Sequence, residues 1–136
     1  MPRLLRDAPL NGIWEGSGNV ISLDVLRAMA REPDGLPAFL AECELARGAD
    51  ARLDAHLDQL PGTLGALAGE DAQWLARRAI EDLALAFQAS LLVRTAPSAV
   101  ADAFCAGRLG DARGRVYGTL PAGVDAEAVI GRALAI

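Results

Sequence analysis

From Asp71 to Arg94 the chain reads as one long helix, carrying Trp74, Ile80, Leu83, Phe87, Leu91 and Leu92 and closed by Ala96-Pro97. This stretch is expected to be the central member of a helical bundle. Helix signals dominate the rest of the chain, and strand signals are nearly absent. Ser17 or Asn19 can cap a first helix reaching about Arg31, with Val20, Leu23, Leu26 and Ala30 on one stripe and Asp24, Arg27 and Arg31 on another. Pro33, Gly35 and Pro37 end it. An Ala/Leu-rich pattern from Pro37 to about Leu60 predicts a second helix, bent near Gly48 and stopped by Pro61-Gly62. A short fourth helix is expected from about Ser98 to Gly107. A polar Gly/Arg segment to Arg115 follows, then an extended connector from Tyr117 to Pro121 and a last helix, Glu127 to Ala135, capped by Asp125. Together these predict an all-α fold, an antiparallel bundle of about five helices in one domain spanning 1–136. Within it, 1–18 forms a loop, 19–106 the main bundle, and 107–136 the Gly/Arg loop with the final helix.

Composition agrees with a packed domain that has a wetted surface: 52% of residues are hydrophobic and 23% charged. No apolar run approaches the roughly 18 residues of a membrane span, and the start lacks a basic-then-apolar signal pattern, so no membrane contact and a cytoplasmic location are expected. Cys43 and Cys105 follow no framework spacing and read as two buried thiols. The net charge of −5 offers no general attraction to nucleic acid, so any DNA contact needs a local patch. All 13 basic residues are arginine, and the first 68 positions hold 6 of them against 10 acids, whereas the remainder holds 7 against 8. The C-terminal half is therefore where such a patch would form. Arg108, Arg113 and Arg115 are its candidates, joined in space by Arg77, Arg78, Arg94 or Arg132. Flexible arginines near glycine reach phosphates, although Asp111 dilutes the cluster and charged loops are commonly there for solubility.

The segment Trp14-Glu15-Gly16-Ser17-Gly18-Asn19 places one carboxylate between an aromatic residue and a glycine, just before a helix. Removing a proton from carbon needs a base desolvated enough to be strong, and burial beside Trp14 would push a carboxylate that way. The free N–H groups and positive dipole end of the following helix suit an anionic phosphate. The alternative is a surface loop glutamate interacting with the helix N-terminus, and the tripeptide by itself leaves both open. Arg27, twelve residues after Glu15, either offers a fixed positive charge to a phosphate or carboxylate or forms an exposed i,i+3 pair with Asp24.

The whole segment, led by Arg6-Asp7-Ala8-Pro9 and followed by Leu23-Asp24-Val25-Leu26-Arg27, resembles the acyl-CoA dehydrogenases of the AidB branch, which is linked to the response to DNA alkylation. The resemblance implies the helical C-terminal part of a longer flavoprotein. It further implies Glu15 as catalytic base, FAD as cofactor approached by Gly16, Ser17 and Asn19, an acyl-CoA substrate, and self-association through the bundle. In that family an N-terminal helical domain and a middle β domain also hold FAD and the thioester. The 136-residue chain is too short for them, so the isolated chain is expected to keep the fold without the activity. The other reading is a non-catalytic DNA-binding or oligomerisation module.

Two further constellations read as structure. His56 lies among Asp50, Asp54 and Asp58 at helical spacing, and one histidine so placed makes no recognised metal site, so a solvated face is expected. Trp74 and Phe87 lie at a phase shared with aliphatics, which predicts core packing for both.

Overall fold

The structure, a computed structural model, describes residues 2–12, 18–111, 114, 116 and 118–134. These form an all-α bundle with no strand among the described residues. The helices are α1 (Pro2–Asp7), α2 (Gly18–Arg31), α3 (Gly35–Glu44), α4 (Ala51–Gly65), α5 (Ala72–Thr95), α6 (Ser98–Arg108) and α7 (Ala126–Leu134). Single 3-10 turns at Ala8–Gly12 and Ala66–Ala68 follow α1 and α4.

The long helix α5 is the axis on which the others pack. Its buried residues are Ala76, Ala79, Leu83, Ala86, Ala89 and Ser90, a stripe of mostly small side chains at three- and four-residue steps. α2 and α3 lie end to end along it and run in its direction: Asn19 meets Arg77, Phe39 meets Phe87, and Glu42 meets Arg94. The chain then turns back. α4 is antiparallel to α5, with Thr63 near Leu75 and His56 reaching Asp82. Ala96-Pro97 separates α5 from α6, and α7 packs on α6. Leu53, Leu60, Cys43, Cys105 and Ser90 are fully enclosed where α3, α4, α5 and α6 meet.

Helix boundaries follow local chemistry. Pro33 restricts the residue before it, so α2 ends at Arg31 and α3 starts at Gly35, with Pro37 in a first turn that has no need of its missing N–H. The pattern from Pro37 to Leu60 forms two helices, not one bent helix, because Gly48 adopts φ +85°, a left-handed conformation that reverses the path. Asp50 caps α4, its Oδ1 accepting from the N–H groups of Arg52 at 2.9 Å and Leu53 at 3.4 Å. Pro61-Gly62 does not stop α4, which continues to Gly65. Both residues are exposed, and Leu53, Leu57 and Leu60 hold the same helix in the core, which offsets the one backbone bond that proline removes. Asp125 caps α7 as expected, its Oδ1 accepting from the N–H of Ala128 at 2.9 Å.

Two expectations about burial are overturned. Trp74 is 87% exposed, since it lies about 200° around α5 from Ala76 and so faces away from the buried stripe. Phe87 does pack, half-buried against Phe39 with ring centroids 5.3 Å apart. His56 is buried at 4% exposure instead of solvated, because it shares the inward face of α4 with Leu53, Leu57 and Leu60. Its Nε2 donates to the Asp82 carbonyl at 2.8 Å, which satisfies the imidazole inside the core. The acids around it are individually engaged. Asp54 accepts from the Gly48 N–H at 3.0 Å, and Asp58 pairs with Arg47 at 2.8 Å. Both cysteines are free and buried, and burial pushes the Cys105 thiol up to about 11.

Candidate functional site

Of the residues singled out around the N-terminal end of α2, Glu15, Gly16 and Ser17 lie outside the described residues. The end of the helix itself is well defined. α2 begins at Gly18, so Asn19 stands in its first turn and does not cap it. Asn19 Oδ1 accepts a hydrogen bond from Arg77 Nη1 at 3.0 Å. The Arg77 guanidinium lies against Gly18 so closely that a Cβ there would come within 2.7 Å of Nη1. Glycine therefore lets a cation from α5 approach the start of α2. Ser22, 4% exposed, donates its Oγ to the Gly18 carbonyl at 2.7 Å and ties the first turn down from inside.

Arg27 pairs with Asp24 one turn back, with both side chains about two-thirds exposed. Such a pair contributes at most about 1 kcal/mol and leaves the guanidinium accessible. Arg108 Nη1 donates to the Gly114 carbonyl at 2.9 Å and straps the Gly/Arg segment to the end of α6. Arg113 and Arg115 lie outside the described residues. Among the other arginines of the C-terminal half, Arg77 is drawn to α2 and Arg94 to Glu42 of α3, so their hydrogen bonds point to separate places.

The structure brings together two clefts that the sequence did not reveal. One, of about 410 Å³, opens between α2, α3 and α5 and is walled by Val25, Met29, Leu36, Phe39, Ile80 and Phe87, with Glu32 at its edge. The other, about 880 Å³, lies between the start of α2 and the first turns of α5, where Trp74, Arg77 and Arg78 face Gly18 and Ile21. Neither could be read from one helix at a time, because each wall belongs to a different helix. The one available signal for the second was the phase of Trp74, which is opposite to that of the buried residues Ala76, Ala79, Leu83 and Ala86.

No group of three or more His, Cys, Asp or Glu side chains among the described residues could hold a metal. No helix of the described residues is long and apolar enough to cross a membrane.

Over 117 residues, 85% of its length, the chain is 35% identical to AidB of Escherichia coli (strain K12), a protein named as an acyl-CoA dehydrogenase. The chain is a relative of the AidB-like acyl-CoA dehydrogenases. It spans 20% of the length of that relative. A 39-residue stretch, 29% of the chain, is 54% identical to 6% of acyl-CoA dehydrogenase family member 11 of Caenorhabditis elegans. No family model matches the chain, and no solved structure matches it significantly.

Proposed function

We propose that this chain is the C-terminal helical domain of an AidB-like, FAD-dependent acyl-CoA dehydrogenase. What carries the reading is the 35% identity to AidB over 85% of the chain, joined to a helix that starts three residues after Glu15. In this reading Glu15 removes the α-proton of an acyl thioester, and its carboxylate becomes the carboxylic acid. Burial against Trp14 would raise its basicity, while Gly16 leaves room for the substrate. Bound FAD would supply the hydride acceptor for the β-carbon, so that the Cα–Cβ bond becomes a double bond.

The residues at the start of α2 suit the cofactor. The first N–H groups of a 14-residue helix and the adjacent Arg77 guanidinium are donors of the kind a pyrophosphate needs, and Gly16, Ser17 and Asn19 are the positions to approach it. Arg27, exposed on the next turns, is available to a substrate phosphate. Because the chain covers a fifth of its relative, the remaining walls of the flavin and thioester sites belong to other parts of such a protein.

The test is Glu15→Gln in the flavin-loaded enzyme. Flavin reduction by an acyl thioester should fall by ~10²–10⁴-fold with FAD binding nearly unchanged, and equal rates would remove Glu15 from the chemistry. The isolated 136-residue chain should purify colourless and inactive, and a stoichiometric flavin band surviving dialysis would overturn the fragment reading.

Of a second reading, a DNA-binding or oligomerisation module, the oligomerisation half draws on the apolar side chains of the end helices. Leu4 and Leu5 on α1 are 66% and 75% exposed, and Ile130 and Leu134 on α7 are 58% and 75% exposed. Surfaces of this kind favour self-association.

A further inference from the structure

A third cleft, of about 330 Å³, lies between α4 and the turn that follows α6, walled by Arg52, Ala55, His56 and Gln59 on one side and by Leu109 and Asp111 on the other. His56 is its unusual member. It is the one histidine of the chain, it stands on the buried face of α4 at 4% exposure, and its Nε2 is committed to the Asp82 carbonyl at 2.8 Å. That bond satisfies the half of the ring turned to the core. Nδ1 has no hydrogen-bond partner among the described residues, yet no side-chain nitrogen or oxygen sealed inside them is left without one. Nδ1 therefore opens onto the cleft that the ring lines. With the proton of a neutral imidazole fixed on Nε2 by the carbonyl, Nδ1 is an acceptor. Packing alone does not account for it, since a leucine at position 56 would continue the face made by Leu53, Leu57 and Leu60.

We propose that this cleft binds a primary alkylammonium group, which donates N–H bonds to His56 Nδ1 and to the Asp111 carboxylate while its carbon chain rests on Ala55 and Leu109. Asp111 is exposed on the far wall, and its carboxylate can only accept. Gln59 adds an amide that can accept as well. Arg52, the one arginine that lines the cleft, does not oppose a cation, because its guanidinium is already shared between Asp50 at 2.6 Å and Asp102 at 2.8 Å. One cation thus faces three carboxylates, so the local field disfavours an anion and attracts a positive ligand. Acceptors on both walls further select a ligand rich in donors, and a charged N–H makes the stronger bond. The volume is at the lower end of small-molecule sites, which suits a short chain. The site uses none of the residues at the start of α2 and does not depend on the role of Glu15. A free amine and a lysine side chain carry the same group, and the experiment separates these sources.

The experiment uses the intact 136-residue chain, whose single histidine gives one set of imidazole NMR signals and so reports on the cleft without a label. At about pH 8 an ordinary imidazole is neutral and an alkylamine still protonated. 1-Aminobutane should move the His56 signals saturably, with a Kd on the order of millimolar. Tetramethylammonium, a cation without N–H groups, and butyrate, an anion of similar size, should each bind at least about tenfold more weakly. Asp111→Asn, at an exposed position, should weaken 1-aminobutane by roughly tenfold with circular dichroism unchanged, and His56→Leu should remove the binding heat in calorimetry. Nα-acetyl-lysine amide binding more tightly than 1-aminobutane would assign the group to a protein lysine, and weaker binding would assign it to a free amine. The proposal falls if 1-aminobutane leaves the His56 signals unmoved up to about 20 mM, which would leave the cleft to solvent, if tetramethylammonium binds as well as 1-aminobutane, or if Asp111→Asn binds it as the parent does.

Discussion

Asp50 joins two helices, α4 and α6, through one carboxylate, and its replacement should separate two contributions that the structure superimposes. Its Oδ1 caps α4, while the same carboxylate pairs with the Arg52 guanidinium at 2.6 Å, and Arg52 reaches on to Asp102 of α6 at 2.8 Å. The Asp50 side chain is 14% exposed, so water screens it less than an ordinary surface acid. Loss of a cap costs about 1 kcal/mol, with a range of roughly 0.5–2. Loss of a partly exposed pair adds up to about 1 kcal/mol, since the Arg52 side chain is 33% exposed. Asp50→Ala should therefore destabilise by about 2 kcal/mol, and Asp50→Asn, which still caps, by about half of that. Urea unfolding followed by circular dichroism measures both. The hydrogen bond from Arg52 holds the Asp50 carboxyl below its ordinary value of 3.8, so its charge stabilises the fold at all pH values above about 3.8 and ceases to do so as pH falls through the lower folded value. The gap between parent and Asp50→Asn should accordingly close in acid. Equal losses for the Asn and Ala variants at pH 7 would show that the ion pair, not the cap, carries the effect, and a gap that does not narrow at all as pH falls below 3.8 would refute the electrostatic part.

Leu60→Ala, at a fully buried position, should cost about 2–5 kcal/mol in urea unfolding, whereas Trp74→Ala on the exposed side of α5 should stay within about 0.5 kcal/mol; similar losses would mean that Trp74 is packed after all. Cys105, enclosed and with its thiol pushed up to about 11, should react with a thiol reagent at pH 8 at the rate of global unfolding, and labelling at the rate of an exposed thiol would contradict its burial. Duplex DNA should not bind the isolated chain detectably at physiological salt and at most weakly at low salt. If weak binding appears, replacing Arg108, Arg113 and Arg115 with Ala should flatten its log–log salt slope by about 3, whereas tight, salt-tolerant binding unaffected by that triple change would place the contact elsewhere.

The all-α class was legible because helical periodicity and punctuation coincide along most of the chain. α2, α5, α6 and α7 start and end within a residue or two of where proline, glycine and capping acids mark them. The misreadings have specific causes. The pattern around Gly48 predicts a bend, but a positive φ at one glycine is enough to reverse the chain, and pattern alone does not reveal φ. Pro61-Gly62 predicts a stop, but a helix anchored by Leu53, Leu57 and Leu60 carries a proline on its outer side for another turn. The connection Ala8–Gly12 and the short α1 carry no apolar periodicity long enough to announce them.

Hydrophobicity misled most where alanine does the packing. On α5 the side chains that meet the neighbouring helices are mainly Ala76, Ala79, Ala86 and Ala89, whose small size lets backbones approach. A stripe of alanines is quiet in a hydropathy reading, so the louder Trp74 draws the core expectation although its phase opposes theirs. The same inversion hid His56, a polar residue on a leucine face that becomes acceptable inside once a carbonyl one helix away accepts a hydrogen bond from its ring N–H. Both errors concern which side of a helix is inward, and that is decided by the partner helix. The site inherits this limit: motif and spacing single out Glu15 from sequence alone, but the cleft of Trp74, Arg77 and Arg78 exists only because α2 starts, at a glycine, directly opposite the first turns of α5.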